Sequence, residues 1–300
     1  MRLSRLFYDF YLHTGSLAMR LGVSKLVGKR GRTLSDRFDR IVRRLLYGDL
    51  PSKSEVNGFT IHHPSEGYFG IELATGNYEP LSTKVIQRLL QPGMVFVDVG
   101  AHVGYYTLLA SRAVYPGGHV YAFEPDPKTW AFLNQNITEN NFTEKTTLIN
   151  IAVSAEIGQG QLFAGRRDGL TNSILFTPGV VERYITCQTT TLDAFFAKQG
   201  WPSVDLIKID VEGAEHMILR GMRELSARNP ELKLVVEFGP NNLQGDGVSA
   251  EQFFATLSDL GFLSISMIFE ELELLNIPQD IPVLLRRCGN AFVNLLCEKT

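Results

Sequence analysis

Seven consecutive residues, Asp98-Val99-Gly100-Ala101-His102-Val103-Gly104, set a carboxylate, two glycines and an imidazole where a Val/Phe-rich run gives way to a helical pattern. There the chain must turn sharply and let a ligand approach its backbone. Gly100 lacks the Cβ that would block the approach, and Gly104 allows close helix-to-strand packing. Asp98, Gly100, Ala101 and Gly104 are therefore candidate cofactor contacts. The glycines are separated by three residues, unlike the G-x-G-x-x-G of dinucleotide sites, and Asp98 would repel a pyrophosphate. The same carboxylate stabilises, directly or through water, the cationic amino-acid part of S-adenosylmethionine. A bare glycine-rich turn is the plainer reading of this string.

A second acid stands 20 residues beyond Gly104, where His119-Val120-Tyr121-Ala122-Phe123 ends in Glu124. An acidic side chain there accepts both hydroxyl hydrogens of a ribose. Asn150, at the end of a third apolar run, is positioned either to read an adenine amine or to serve as a turn residue. Tyr78 and Glu79 are placed to close over the methionine part of the cofactor.

The catalytic candidates are also carboxylates. Asp210, Glu212 and Glu215 fall in one short turn-to-helix segment, and Glu237 ends the next strand. Acids so close push one another's pKa values upward, which suits a general base, Asp210 first and Glu237 second. The same oxygens could instead hold a divalent metal ion. The plain structural reading of Glu212 and Glu215 is a pair of helix N-terminal acids. Lys208 is either their partner or a solvent-edge residue. His102 and His216 are alternative bases, or packing histidines.

These residues need strand ends to converge. From about Pro80, apolar runs of strand length alternate with segments of helical period, the α/β pattern of a parallel sheet with crossover helices. The expected strands are 95–99, 119–123, 147–153, 205–209 and 234–238. Helices follow through 112, over 128–140, from near 215 and over 250–260. Segments 262–268 and 291–297 form a terminal antiparallel pair. The insertion 154–196 is a lid, an acceptor wall or a surface hairpin.

With VFVDVGAHVGYYTLLAS, VYAFEPDP and DLIKIDVEGAEHMILRG in this order, preceded by Gly76-Asn77-Tyr78-Glu79-Pro80, the sequence resembles the FkbM-like methyltransferases over about residues 70–298. The resemblance implies a Rossmann-like, doubly wound class I methyltransferase fold and methyl transfer to a hydroxyl, occasionally an amine, of a sugar, glycan, polyketide or related metabolite. Two rivals remain at this stage. A non-catalytic S-adenosylmethionine-binding module would share the fold, and an NAD-dependent dehydrogenase would need the third glycine.

The whole chain sets further bounds. Its 300 residues are 44% hydrophobic, enough for a substantial core. Residues 1–47 carry 11 Lys/Arg against 3 Asp/Glu and the rest 18 against 29, so a basic N-terminus precedes an acidic body. That asymmetry suggests a basic helical extension and cap over 1–75 and a methyltransferase domain over 76–300. Stretch 1–47 either caps the body or touches an anionic membrane surface. An acidic body without an N-P-P-Y type motif argues against nucleic acid as the acceptor. Cys187, Cys288 and Cys297 make no C-x-x-C pair, and no apolar run reaches spanning length, so a cytoplasmic protein is expected.

Overall fold

The computed structural model describes residues 52–64, 69–165, 172–173, 181–245, 247–289 and 291–299. The basic stretch 1–47, and with it the cap and membrane-surface expectations, lies outside the described residues. The described residues belong to one compact unit, Ser52–Thr300. Among them no helix is long and apolar enough to cross a membrane.

Residues 52–62, expected within the helical extension, instead form a hairpin of β1 (Lys53–Val56) and β2 (Phe59–His62). The reason is local. Asn57 and Gly58 both adopt positive φ, 52° and 76°, the geometry of the tight turn that Asn-Gly favours. Helix α1 (Phe69–Thr75) and helix α2 (Pro80–Leu89) follow.

The centre is a sheet alternating with helices: β3 (Val95–Val99), α3 (Tyr105–Ala113), β4 (His119–Phe123), α4 (Pro127–Glu139) and β5 (Thr146–Ile149). The expected third strand, 147–153, is broken. Ala152–Val153 (β6) leaves the central sheet and pairs with a separate one, because Asn150 turns the chain: its amide donates to the carbonyls of Glu124 and Pro125. The insertion is a hairpin of β7 (Gly158–Gly165) and β9 (Val181–Thr190), with the short β8 (Asn172–Ser173) beside β7.

After α5 (Leu192–Lys198) come β10 (Leu206–Ile209), α6 (Glu215–Arg220), α7 (Arg223–Arg228), β11 (Lys233–Phe238), α8 (Pro240–Gly245) and α9 (Ala250–Asp259). Ser249 and Gln252 form a capping box at the start of α9. Strands β12 (Phe262–Ile268) and β13 (Leu272–Leu275), helix α10 (Ile281–Cys288) and strand β14 (Val293–Lys299) complete the unit. The sheet order is β13-β12-β14-β11-β10-β3-β4-β5, with β11 through β5 parallel and β14 antiparallel to both β11 and β12. The terminal antiparallel pair expected from sequence is β12 with β14. This is the doubly wound α/β class.

The two sheet faces bury separate cores. Val97, Val99, Ile207, Ile209, Leu234 and Val236 face one; Phe96, Val120, Leu206, Val235 and Leu296 face the other, together with residues of α3 and α4. Alternation therefore sends Asp98, Lys208, Glu237 and Asn294 to the second face, where the hydrophobic run stops. In the ladder Lys208 lies beside Asp98, and Glu237 beside Asn294. Chain order reverses between β3 and β10, the place where ligands bind in open α/β sheets.

At that reversal Gly100 has φ of 83°, and a Cβ built on it would stand 1.8 Å from the Asp210 carbonyl oxygen. Gly104 has φ of 96°, but its Cβ would meet only the tip of Leu133, at 2.6 Å. Both alanine variants suffer left-handed strain of about 1–2 kcal/mol, and Gly100→Ala must in addition displace backbone. Urea titration should therefore show a clearly larger midpoint loss for Gly100→Ala than for Gly104→Ala. Equal losses would mean that the β3–β10 junction is looser than its geometry implies.

Candidate functional site

The carboxyl ends of β3, β4, β10 and β11 open into a cavity of about 390 Å³. Asp98, Gly100, Ala101, His102, Glu124 and Asp210 line it, as do Glu79, Glu212 and Glu237. Of the residues singled out from sequence, Gly104, Asn150, Glu215 and His216 are not among the lining residues. Each of these four does structural work. Gly104 starts α3 against Leu133. Asn150 pins the backbone after β4. Glu215 accepts from the Val211 and Gly213 N–H groups of the turn that precedes α6. His216 bonds Thr256 through its ring.

One wall is the β3–α3 turn. The N–H groups of Gly100 and Ala101 both donate to the Phe123 carbonyl, at 3.0 and 2.9 Å, tying the turn to the end of β4. The His102 N–H then donates to Glu124 Oε2 at 3.0 Å, and the Asp126 N–H to Oε1 at 2.9 Å. Burial pushes Glu124 up to about 8, with the two N–H donors opposing the shift. Asp98 is buried, accepts from the Thr107 hydroxyl at 2.6 Å through Oδ2, and leaves Oδ1 without a partner among the described residues. Burial raises its pKa, and Lys208 works against the shift.

The floor is an acid cluster around one ammonium. Lys208 is 2% exposed, donates to Asp210 Oδ2 at 2.7 Å and stands 4.6 Å above the Tyr106 ring. It is thus the partner of the acidic cluster. Burial alone would lower its pKa, but Asp210, Glu79 and Asp98 outweigh that and hold it well above its ordinary value. Glu79 has φ of 39° and accepts from Tyr106 OH at 2.6 Å and from Asn294 Nδ2 at 3.2 Å. Its pKa is raised by burial and by Asp210, against the pull of Lys208. Glu237 is 3% exposed and keeps Oε2 without a partner among the described residues. Burial first, then Asp210, Glu215 and Glu212, raise its pKa far above the ordinary carboxylate range.

Sequence reasoning missed several of these contacts. Asn294 lies 215 positions from Glu79, and no local pattern links them. Tyr105 and Tyr106 line the cavity in an edge-to-face cluster with Tyr78, Phe69 and His102. Glu72 and Phe292 also line it. Their single letters carried no signal. No group of three or more His, Cys, Asp or Glu suited to a metal ion occurs among the described residues.

Residues 98–264 match the model of the methyltransferase FkbM domain. The chain is 27% identical over 174 residues to the 2-O-methyltransferase NoeI of Sinorhizobium fredii, covering 51% of this chain and 69% of that protein. It is 29% identical over 175 residues to the 31-O-demethyl-FK506 methyltransferase FkbM of Streptomyces tacrolimicus, covering 49% and 65%. Similarity to the hexuronic acid methyltransferase AglP of Haloferax volcanii is 27% over 141 residues, covering 46% and 55%.

Two stability consequences follow from the electrostatics. Glu124 is raised to about 8, and Glu72 and Glu215 to about 7, chiefly by burial. The folded state therefore holds protons that the unfolded chain releases near pH 4.5, so this contribution is full below that pH and is lost as pH rises through 7 to 8. The ligand-free melting temperature should fall between pH 6 and 8.5. Lys208→Met should cost about 3 kcal/mol or more, as loss of one partner of a buried pair does, and should recover part of it as pH drops and the acids protonate. A pH-independent deficit would argue against Lys208 as their counter-charge.

Proposed function

The chain belongs to the FkbM-domain methyltransferases, and from that premise we propose that it moves a methyl group from S-adenosylmethionine to a hydroxyl of a sugar, glycan, polyketide or related metabolite. One observation carries the reading. A single cavity joins the β3–α3 turn and Glu124 to the unpartnered carboxylate of Glu237 and the Lys208–Asp210 pair.

The residues present fit the cofactor. Asp98 Oδ1, buried and without a partner among the described residues, is an acceptor for a cationic amino group. Glu124 keeps a second lone pair on each oxygen beyond the N–H bonds it accepts, so a ribose diol has two acceptors to meet. Glu79 lines the same cavity and serves the amino-acid end. When bound, S-adenosylmethionine supplies a methyl carbon already activated by its sulfonium.

What the chain must add is alignment and a proton acceptor. Asp210 is anchored by Lys208 and holds the acceptor hydroxyl in line. Glu237 receives its proton as the new C–O bond forms, the positive charge of a bound cofactor favouring the ionised form that burial opposes in the empty site. Glu212 and His102, the other catalytic candidates, line the same space, with the His102 ring packed against Phe69 at 4.6 Å. Asn150 supports the site from outside by holding the backbone of Glu124. The alternative for the same acids is a divalent ion that acidifies the hydroxyl. Cys187, Cys288 and Cys297 are all free and buried, which suits a reducing, cytoplasmic setting.

The assignment is tested by two variants. Glu124→Ala should weaken S-adenosylmethionine binding in calorimetry by about 1.5–3 kcal/mol, the worth of charge-assisted hydrogen bonds. Glu237→Gln should bind the cofactor normally and turn over roughly 10²–10⁴-fold more slowly. Unchanged affinity in the first sinks the ribose role, and full activity in the second moves the proton to Asp210 or His102. Activity lost on chelation and restored by Mg²⁺ would replace the base with the metal.

A further inference from the structure

The identity of the acceptor has a physical handle in the charge and shape of this cavity. Beyond Asp98 and Glu124 on the cofactor wall, its lining includes Glu72, Glu79, Asp210, Glu212 and Glu237. Among the described residues Lys208 is the lining ammonium, and it is already committed. Its Nζ donates to Asp210 and sits over the Tyr106 ring, and the side chain is 2% exposed. It cannot reach out to neutralise an acid brought in by a ligand. Glu237 Oε2, in contrast, is buried, borders the cavity and lacks a partner among the described residues, so it is a polar atom waiting for a ligand partner.

The opposite character stands at the cavity's edge. Phe292, in the loop between α10 and β14, lines the cavity and is nevertheless 51% exposed. An aromatic face half in water beside a bed of carboxylates matches a ring with one apolar face and an edge of hydroxyl donors. A carboxylate on that ring would meet several acids and no free cation of the described wall.

Resting on the methyltransferase reading above, we infer that the acceptor is an uncharged or cationic polyol ring, laid against Phe292 with its hydroxyl edge toward Asp210 and Glu237, and that anionic rings are rejected. In this the chain differs from the hexuronic acid methyltransferase to which part of it is similar. The acids do two things at once. They accept the hydroxyl hydrogens that orient the ring, and they offer the carboxylate of a sugar acid no cation to pair with, so its charge would be desolvated uncompensated. Phe292 is a specificity residue and takes no part in proton transfer.

The test uses methyl hexopyranosides in matched neutral, 2-amino and uronate forms, several ring configurations of each, with the full chain and labelled S-adenosylmethionine. Cofactor affinity is measured in parallel by calorimetry. The neutral or amino glycosides should be methylated with kcat/KM at least about 100-fold above the matched uronate. Phe292→Ala should raise KM for the best glycoside about 10-fold with kcat and cofactor affinity kept. At pH 8, above the value of about 7 to which burial raises Glu72, Glu72→Gln should narrow the discrimination against the uronate several-fold. Uronates used as well as neutral glycosides, or no glycoside methylated by a protein that still binds S-adenosylmethionine, would overturn the acceptor class alone. A protein that fails to bind S-adenosylmethionine would overturn the reading beneath it. An unchanged KM in Phe292→Ala would remove Phe292 from the acceptor site.

Discussion

Placing the Lys208 ammonium in the middle of a sheet costs several kcal/mol unless opposite charge surrounds it, and much of this molecule is arranged to surround it. Asp98 arrives from the neighbouring strand, Asp210 from two residues further along its own, and Glu79 from the start of α2. The arrangement is reciprocal. The acids keep the lysine charged although burial opposes it, and the lysine restrains a rise in acid pKa that burial would otherwise drive further. A cationic cofactor, as S-adenosylmethionine is, calls for negative charge at depth. One fixed ammonium lets that charge be concentrated without the acids driving the strand ends apart.

Geometry enforces the same junction from the backbone side. The Asp210 carbonyl crosses so close to Gly100 that no side chain fits there, and the turn is tied to β4 through Phe123 and Glu124. The β3–α3 turn and the acid cluster are thus parts of one junction between β3, β4 and β10. The aromatic cluster of Phe69, Tyr78, Tyr105, Tyr106 and His102 closes over it from the helices.

Much of this was legible in the letters, for a physical reason. Strands buried on both faces read as continuous apolar runs, so β3, β4, β10 and β11 fell close to their expected bounds, and the acids at their ends could be placed by counting. The hairpin at 53–62 carried an Asn-Gly signal that the basic character of the preceding segment obscured. Lys208 was ambiguous because a mid-strand lysine looks the same whether it meets water or acid. The breakdown of the third strand could not be foreseen, since it depends on where the Asn150 amide finds carbonyls. Contacts between distant segments, such as Asn294 with Glu79 and Ser82, leave no trace in either local pattern.

That last contact bears on how the molecule is assembled. β14 inserts antiparallel between β11 and β12, and from there Asn294 reaches back across more than 200 positions to Glu79 and Ser82 at the head of α2. A pairing so distant in sequence carries a loop-closure cost that must be met before the contact gives anything back. The acid that leans on the buried ammonium stays without its amide partner unless β14 is in place. A sheet lacking β14 would therefore lack one arm of the hydrogen bonding that fixes the acid cluster around Lys208.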